Sequence, residues 1–226
     1  MNIDILEYLS LLDNYVVLRR SDVFPEIRFG GDVDLLVEDR DNAEKIFVEH
    51  FLQADVDAYS IQVERRAGHT HIDVFMENVL FVRFDLIDSF AFLSRIHVKP
   101  GFTAHALTNK ISEIIDGKVI FFPAQLDDLL IRYLEYIEYF ETIPTKEKHL
   151  AYVLKHAETV SWSDFINHVH RFTKLIHDAY VENSNKKDAC CIGVGFRKRL
   201  DSVIRCLSPT LREQLKKVYH FLRGCI

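Results

Sequence analysis

Phe29-Gly30-Gly31-Asp32-Val33-Asp34-Leu35-Leu36-Val37 decides how this chain is read. A Gly pair is followed by two aspartates that alternate with apolar residues, and the run then turns β-branched and aliphatic. On a strand, residues i and i+2 point to the same face. Asp32 and Asp34 therefore project together from one strand end. Two carboxylates held close repel each other unless a cation sits between them. Mg²⁺ or Mn²⁺, which prefer oxygen ligands, meet that need. The alternative is a tight turn feeding an edge strand, with both carboxylates solvated.

The elements around this stretch alternate. Residues 3–12 read as a short helix and Tyr15-Val16-Val17-Leu18-Arg19 as a β-branched strand. Residues 21–31, with Pro25 and the Gly pair, read as loop. Residues 33–37 form the second strand. Residues 41–52 have helical apolar spacing, with Asp39 or Asp41 as N-cap. Strands at 59–65, 71–75 and 79–87 follow, with Gly68 and Glu77-Asn78 marking the turns. A last short strand, 119–122, is closed by Pro123.

From Gln125 the pattern becomes helical. Leu126, Leu129, Leu130, Tyr133, Leu134 and Ile137 recur at three and four, and Pro144 ends the run. Helices are expected at 146–156 and 163–180, the latter capped by Ser161 or Ser163. After a polar linker at 182–188 come helices at 196–206 and 209–222, with Pro209 at a first helical position. The expected class is α+β: a mixed β-sheet with flanking helices over 1–124, then a helical domain over 125–226.

Composition sets outer limits. The chain has 226 residues, 48% hydrophobic and 27% charged, ordinary for a globular protein. No apolar run reaches membrane-spanning length. The acidic start, Met1-Asn2-Ile3-Asp4, lacks the basic region of a signal peptide. Cys190, Cys191, Cys206 and Cys225 show no CxxC spacing, and reduced thiols in a cytoplasmic protein account for them most simply. Residues 1–141 carry 13 Lys+Arg against 26 Asp+Glu, a net −13. Residues 142–226 carry 15 against 8, a net +7. The acidic half argues against an extended nucleic-acid surface. The basic half suits an anionic substrate, or docks on the acidic half.

The order of strand, loop, Asp-x-Asp strand, helix, hairpin and one further Asp-bearing strand resembles the nucleotidyltransferase superfamily. That family includes DNA polymerase beta, poly(A) polymerases and aminoglycoside nucleotidyltransferases. Asp32 and Asp34 match its Asp-x-Asp pair. Asp85, in Arg83-Phe84-Asp85-Leu86-Ile87, matches its third carboxylate. Asp73, in His71-Ile72-Asp73-Val74-Phe75, competes for that place, but its strand fills the hairpin position that precedes the third Asp. More narrowly, residues 15–155 look like nucleotidyltransferase-like proteins of bacterial polysaccharide and cell-surface gene clusters. Tyr15–Arg19, Asp32–Val37, Arg83–Leu86 and Lys146-Glu147-Lys148-His149 carry that likeness. The chain departs from the family pattern where a Gly-Ser turn follows the first strand. Leu18-Arg19-Arg20-Ser21 stands there instead, with Gly30-Gly31 close to the aspartates.

What the resemblance implies is metal-dependent nucleotidyl transfer from an NTP to a small anionic acceptor, such as a sugar or polyol phosphate. Asp32, Asp34 and Asp85 would hold Mg²⁺ or Mn²⁺ in a two-metal arrangement. Arg19 and Arg20 could grip the β- and γ-phosphates with their planar forks in place of the missing amides, beside Gly30 and Gly31. Arg19 could equally pair with a neighbouring Asp. Lys146, Lys148 and His149, and His71 and Asp73, are possible substrate contacts, with His69 beside His71. The alternatives are a non-catalytic member that binds nucleotide or a partner, and a toxin acting on tRNA or protein. His168 and His170, at i and i+2, do not share a helix face, and with His177 make a poor metal motif. Gly193-Val194-Gly195 lacks the strand and third Gly of a dinucleotide fingerprint. Tyr133, Tyr136, Tyr139 and Phe140 read as helix packing.

Overall fold

A computed structural model describes residues 2–20, 23–54, 59–94, 96–139 and 142–174, all within a compact unit spanning Met1–Leu175. The linker, the helices expected beyond 180, the four cysteines, His177, Gly193-Val194-Gly195 and Phe140 lie outside the described residues.

The chain runs β1 (Asn2–Asp4), α1 (Leu6–Leu9), β2 (Tyr15–Val17), β3 (Glu26–Arg28), β4 (Asp32–Val37), α2 (Arg40–Ala54), β5 (Tyr59–Arg66), β6 (His69–Met76), β7 (Val79–Ile87), α3 (Gly101–Thr108), β8 (Ile111–Ile115), β9 (Lys118–Phe122), α4 (Gln125–Tyr139), α5 (Glu147–Val160) and α6 (Trp162–Phe172). Short 3₁₀ turns stand at Phe90–Phe92 and Pro144–Lys146. The class is α+β: a mixed five-stranded sheet, order β2-β4-β7-β6-β5, flanked by helices. Only β4 and β7 run parallel; every other neighbouring pair is antiparallel.

The sheet has two unlike faces because its strands alternate. On one face Val33, Leu35, Val37, Ile72, Val74, Val82, Phe84 and Leu86 are buried. Phe47 and Phe51 of α2 and Leu6 and Leu9 of α1 fill the same core. Phe84 is its centre, stacked on Phe47 at 4.5 Å and touching Tyr8 at 5.6 Å. Asp39 starts α2, its Oδ1 accepting from the Asn42 N–H at 3.0 Å, which satisfies an otherwise orphaned donor. The opposite face carries Asp32, Asp34, Arg83, Asp85, Asp73 and His71. The strand register sets them side by side: Asp34 opposite Asp85, Asp85 opposite His71, and Arg83 opposite Asp73.

Three local readings differ. Residues 2–4 are strand, pairing with Glu26–Arg28, so the expected helix shrinks to α1 and the expected loop contains β3. Three-residue strands hold too few alternations to be seen as period two. β9 matches the short strand expected at 119–122, but its partner β8 and α3 were not expected from sequence. Ile111, Ile114 and Val119 point outward, so β8 has no buried stripe. The turns fell as read: Gly68, Glu77 and Asn78 all have φ between 51° and 71°, the left-handed region.

Phe84→Ala empties the centre of the apolar face. Loss of transfer energy plus the cavity left behind is expected to cost about 3–5 kcal/mol, measured as a shift of the urea midpoint at constant slope.

Candidate active site

The parallel β4–β7 pairing builds the site. With Asp34 opposite Asp85, carboxylate oxygens of Asp32, Asp34 and Asp85 all lie within 4.8 Å of one another. Asp73 does not join them. Its carboxylate is held bidentately by Arg83, Nε–Oδ1 at 2.5 Å and Nη2–Oδ2 at 2.6 Å. On its other side Asp85 faces His71 Nδ1 at 3.6 Å and His69 Nε2 at 3.8 Å. The two rings lie 4.1 Å apart, so His69, His71 and Asp85 make a second donor group sharing Asp85. Asp85 Oδ1 is buried without a hydrogen-bond partner.

Arg19 lies among the carboxylates. The β2–β4 ladder continues one step past Val17, the Leu18 N–H donating to the Asp34 carbonyl at 2.9 Å. The chain then turns at Arg19 with φ of 53°, a conformation that costs a non-glycine residue about 1 kcal/mol. That turn drives the guanidinium inward, where it bonds the Asp34 carboxylate and, at 2.8 Å, Glu135 Oε2 of α4. The Arg19 side chain keeps 14% of its exposure and Asp34 11%. Lys146 Nζ reaches the same Glu135 oxygen at 2.6 Å.

Charge and burial set the ionisation. Burial pushes the Asp34 carboxyl up to about 6; Arg19 opposes this, while Asp85, Asp32 and Glu135 add to it. For Asp85 burial also acts upward, but the two histidines and Arg83 outweigh it and hold the carboxyl below its usual range. Glu135 is likewise held low despite its burial by Arg19 and Lys146. Burial, with Arg19 and Lys146, depresses His149 to about 4, so its imidazole is neutral at pH 7.

A cleft of about 500 Å³ opens beside the carboxylates. Asp32 and Asp34 line it together with Arg19, Arg20, Arg132, Lys146, Lys148, His149 and Tyr152. A neighbouring cleft of about 480 Å³ shares Arg20, Arg132 and Tyr152 and adds Val17, Ile111, Phe122 and Pro123. Arg20 bonds Glu113 at 2.6 Å and lies over the Phe122 ring. Arg132 lies 4.0 Å over the Tyr152 ring. Lys146, Lys148 and His149, expected as substrate contacts, all reach this cleft; His71 stays beside Asp85.

Gly30 and Gly31 do not present free amides. The Gly30 N–H donates to Phe81 at 2.8 Å and the Gly31 N–H to Arg28 at 2.8 Å. Gly31 also leaves no room for a side chain, since a Cβ would come within 2.9 Å of the Arg28 carbonyl. Glu135, Arg132 and Tyr152 were not foreseen. Glu135 is one of three buried acids on α4, with Asp127 and Glu138, and no spacing in the sequence sets it apart from them. Tyr133 and Tyr136 are buried in packing, as expected.

No protein-family model matches the chain, and no curated protein matches it significantly. Among solved structures it is similar to an antigenic nucleotidyltransferase-like protein from Paracoccidioides brasiliensis, at 9% identity. That match covers 84% of this chain and 94% of the other, with a TM-score of 0.44. It is also similar to the Megavirus polyadenylate synthase, at 11% identity, over 95% of this chain and 48% of that one, with a TM-score of 0.33.

Because the folded-state pKa of Asp34 is raised, the native state binds more protons than the unfolded chain at mildly acidic pH. Stability is therefore lost as pH rises from about 4 through about 6. Asp34→Asn removes that loss while Arg19 keeps Glu135. In metal-free buffer the variant is expected to match wild type near pH 4 and to exceed it by about 1–3 kcal/mol at pH 8, read from denaturant melts across pH.

Proposed function

We propose that this chain is a cytoplasmic, metal-dependent nucleotidyltransferase of the superfamily its sequence resembles. It would transfer a nucleotidyl group from an NTP to a small anionic acceptor, a sugar or polyol phosphate of surface-polysaccharide synthesis. The observation that carries this reading is the convergence of Asp32, Asp34 and Asp85 beside a cleft walled by cations. The donor set is all oxygen, and Asp85 Oδ1 is buried with no hydrogen bond, His71 Nδ1 standing 3.6 Å away. Both fit Mg²⁺ or Mn²⁺. When bound there, a divalent ion would supply charge neutralisation at the phosphates and a lowered acceptor pKa.

The protein's own groups would do the rest. Asp32 and Asp34 would be the shared ligands, and Asp85 would complete the set and stand nearest the acceptor hydroxyl as proton acceptor. Arg19 is held by Asp34 and Glu135 in the free protein. With Asp34 serving as a ligand, the Arg19 fork would be free to meet a phosphate, while Glu135 keeps Lys146. Arg20, Arg132, Lys146 and Lys148 would line the phosphate path. The less polar neighbouring cleft would take the base or the acceptor.

One observation favours a second reading, a non-catalytic nucleotide binder. Arg19 already neutralises Asp34, and the glycine amides are committed to the sheet. Pyrophosphate release separates the two. With Mg²⁺, NTP and a panel of sugar phosphates, the enzyme reading expects steady release that EDTA abolishes and that Asp85→Asn lowers at least ~100-fold. Nucleotide binding without release supports the binder instead.

Arg19→Lys keeps the charge but loses the fork. If the fork holds the triphosphate, NTP affinity falls roughly ten- to hundred-fold, the equivalent of about 1.5–3 kcal/mol. Calorimetric titration with NTP and Mg²⁺ is the check, and unchanged affinity takes Arg19 out of the site.

A further inference from the structure

Away from the cleft, α3, α4 and α6 bring His105, Asp127 and His168 together. A ring nitrogen of each histidine and a carboxylate oxygen of Asp127 all lie within 4.8 Å of one another. His168 Nε2 is 2.7 Å from Asp127 Oδ1, and His105 Nε2 is 3.6 Å from the same oxygen. Asp127 is 1% exposed and His168 8%. The other carboxylate oxygen, Asp127 Oδ2, is buried with no hydrogen-bond partner. A buried carboxylate with an unused oxygen is costly unless a cation meets it.

The rings are fixed by aromatic neighbours. Phe172 lies 4.6 Å from the His105 ring and 4.8 Å from the His168 ring. Phe102 borders His168 at 6.4 Å. Burial, helped by Arg171 and His168 against the pull of Asp127, lowers the His105 pKa.

We propose that His105, Asp127 and His168 bind a divalent transition metal, zinc by preference, that ties α3 to α4 and α6. Two imidazoles and one carboxylate suit zinc and are poor ligands for Mg²⁺. Tetrahedral donors about 2.0–2.1 Å from zinc stand about 3.4 Å apart. The 3.6 Å separation fits this, and the 2.7 Å pair needs a small ring rotation. Zinc at His168 Nε2 takes the tautomer whose proton lies on Nδ1, so the ion replaces the hydrogen bond between His168 and Asp127. Asp127 Oδ2 or a water fills the fourth position. Asn109 Nδ2 donates to the His105 carbonyl at 2.8 Å and lies 3.0 Å from His105 Nδ1, which holds the ring in place.

The site is separate from the cleft. Asp127 precedes Glu135 by eight residues on α4, about 12 Å along the axis. It thus neither rests on the nucleotidyltransferase reading nor shares a ligand with it.

The test uses the full chain without a polyhistidine tag, its cysteines alkylated, stripped with chelator and then titrated with Zn²⁺. Calorimetry gives affinity and thermal melting gives stabilisation. Wild type is expected to take up zinc at this site with a rise in Tm. His105→Gln, at a partly exposed ring, and Asp127→Asn are each expected to weaken that uptake at least ~10-fold. His71→Gln, which alters the other histidine pair, is expected to leave it intact. Circular dichroism confirms that each variant is folded. Zinc affinity and Tm unchanged in folded His105→Gln and Asp127→Asn, or a wild type that zinc does not stabilise, would overturn the proposal.

Discussion

Everything in the cleft depends on one register: β4 and β7 run parallel with Asp34 opposite Asp85. That alignment forces three carboxylates together on the polar face of the sheet. Like charges this close cannot all stay ionised without a counter-charge. In the free protein Arg19 supplies it, bridging Asp34 to Glu135 of α4. The same bridge ties the sheet to the helices that follow it, because Glu135 also holds Lys146. The left-handed turn at Arg19 is the local strain that this interaction offsets. Because Glu135 shares the guanidinium, Arg19 keeps a partner when Asp34 is neutral.

The uneven charge of the chain has a local meaning. Asp32 and Asp34 of the acidic N-terminal half line the cleft together with Lys146 and Lys148, which come from the turn and helix after α4. A cleft lined by both carboxylates and cations is suited to a ligand that brings its own cation and several negative oxygens. His149 stays neutral there because adding a proton beside Arg19 and Lys146 would crowd positive charge in a buried place.

The sheet was legible because its strands alternate. Val33, Leu35, Phe84 and Leu86 announce one face, so Asp32, Asp34 and Asp85 must share the other. The choice between Asp73 and Asp85 was harder. Both face the same way, and only the position of Arg83 opposite Asp73 shows which carboxylate is already paired. Arg19 was marked by its place at a strand end, with an ion pair open as an alternative; its partner Glu135 is 116 residues away and invisible to any spacing rule. His105 was hidden for the same reason, and His168 was weighed only with His170 and His177, a set read as a poor metal motif. His105 and His168 each meet Asp127 only through helix packing, and His170, two residues on from His168, points to solvent.

The central claim is that Arg19 holds a place among the carboxylates that a divalent cation and a triphosphate would take over. Anomalous diffraction from crystals grown with Mn²⁺ and a non-hydrolysable NTP tests it most directly. The account predicts manganese density among Asp32, Asp34 and Asp85, with the Arg19 guanidinium moved off Asp34 and onto a phosphate. Arg19 still seated on Asp34, with no manganese at the three carboxylates in a crystal that holds the nucleotide, would contradict it.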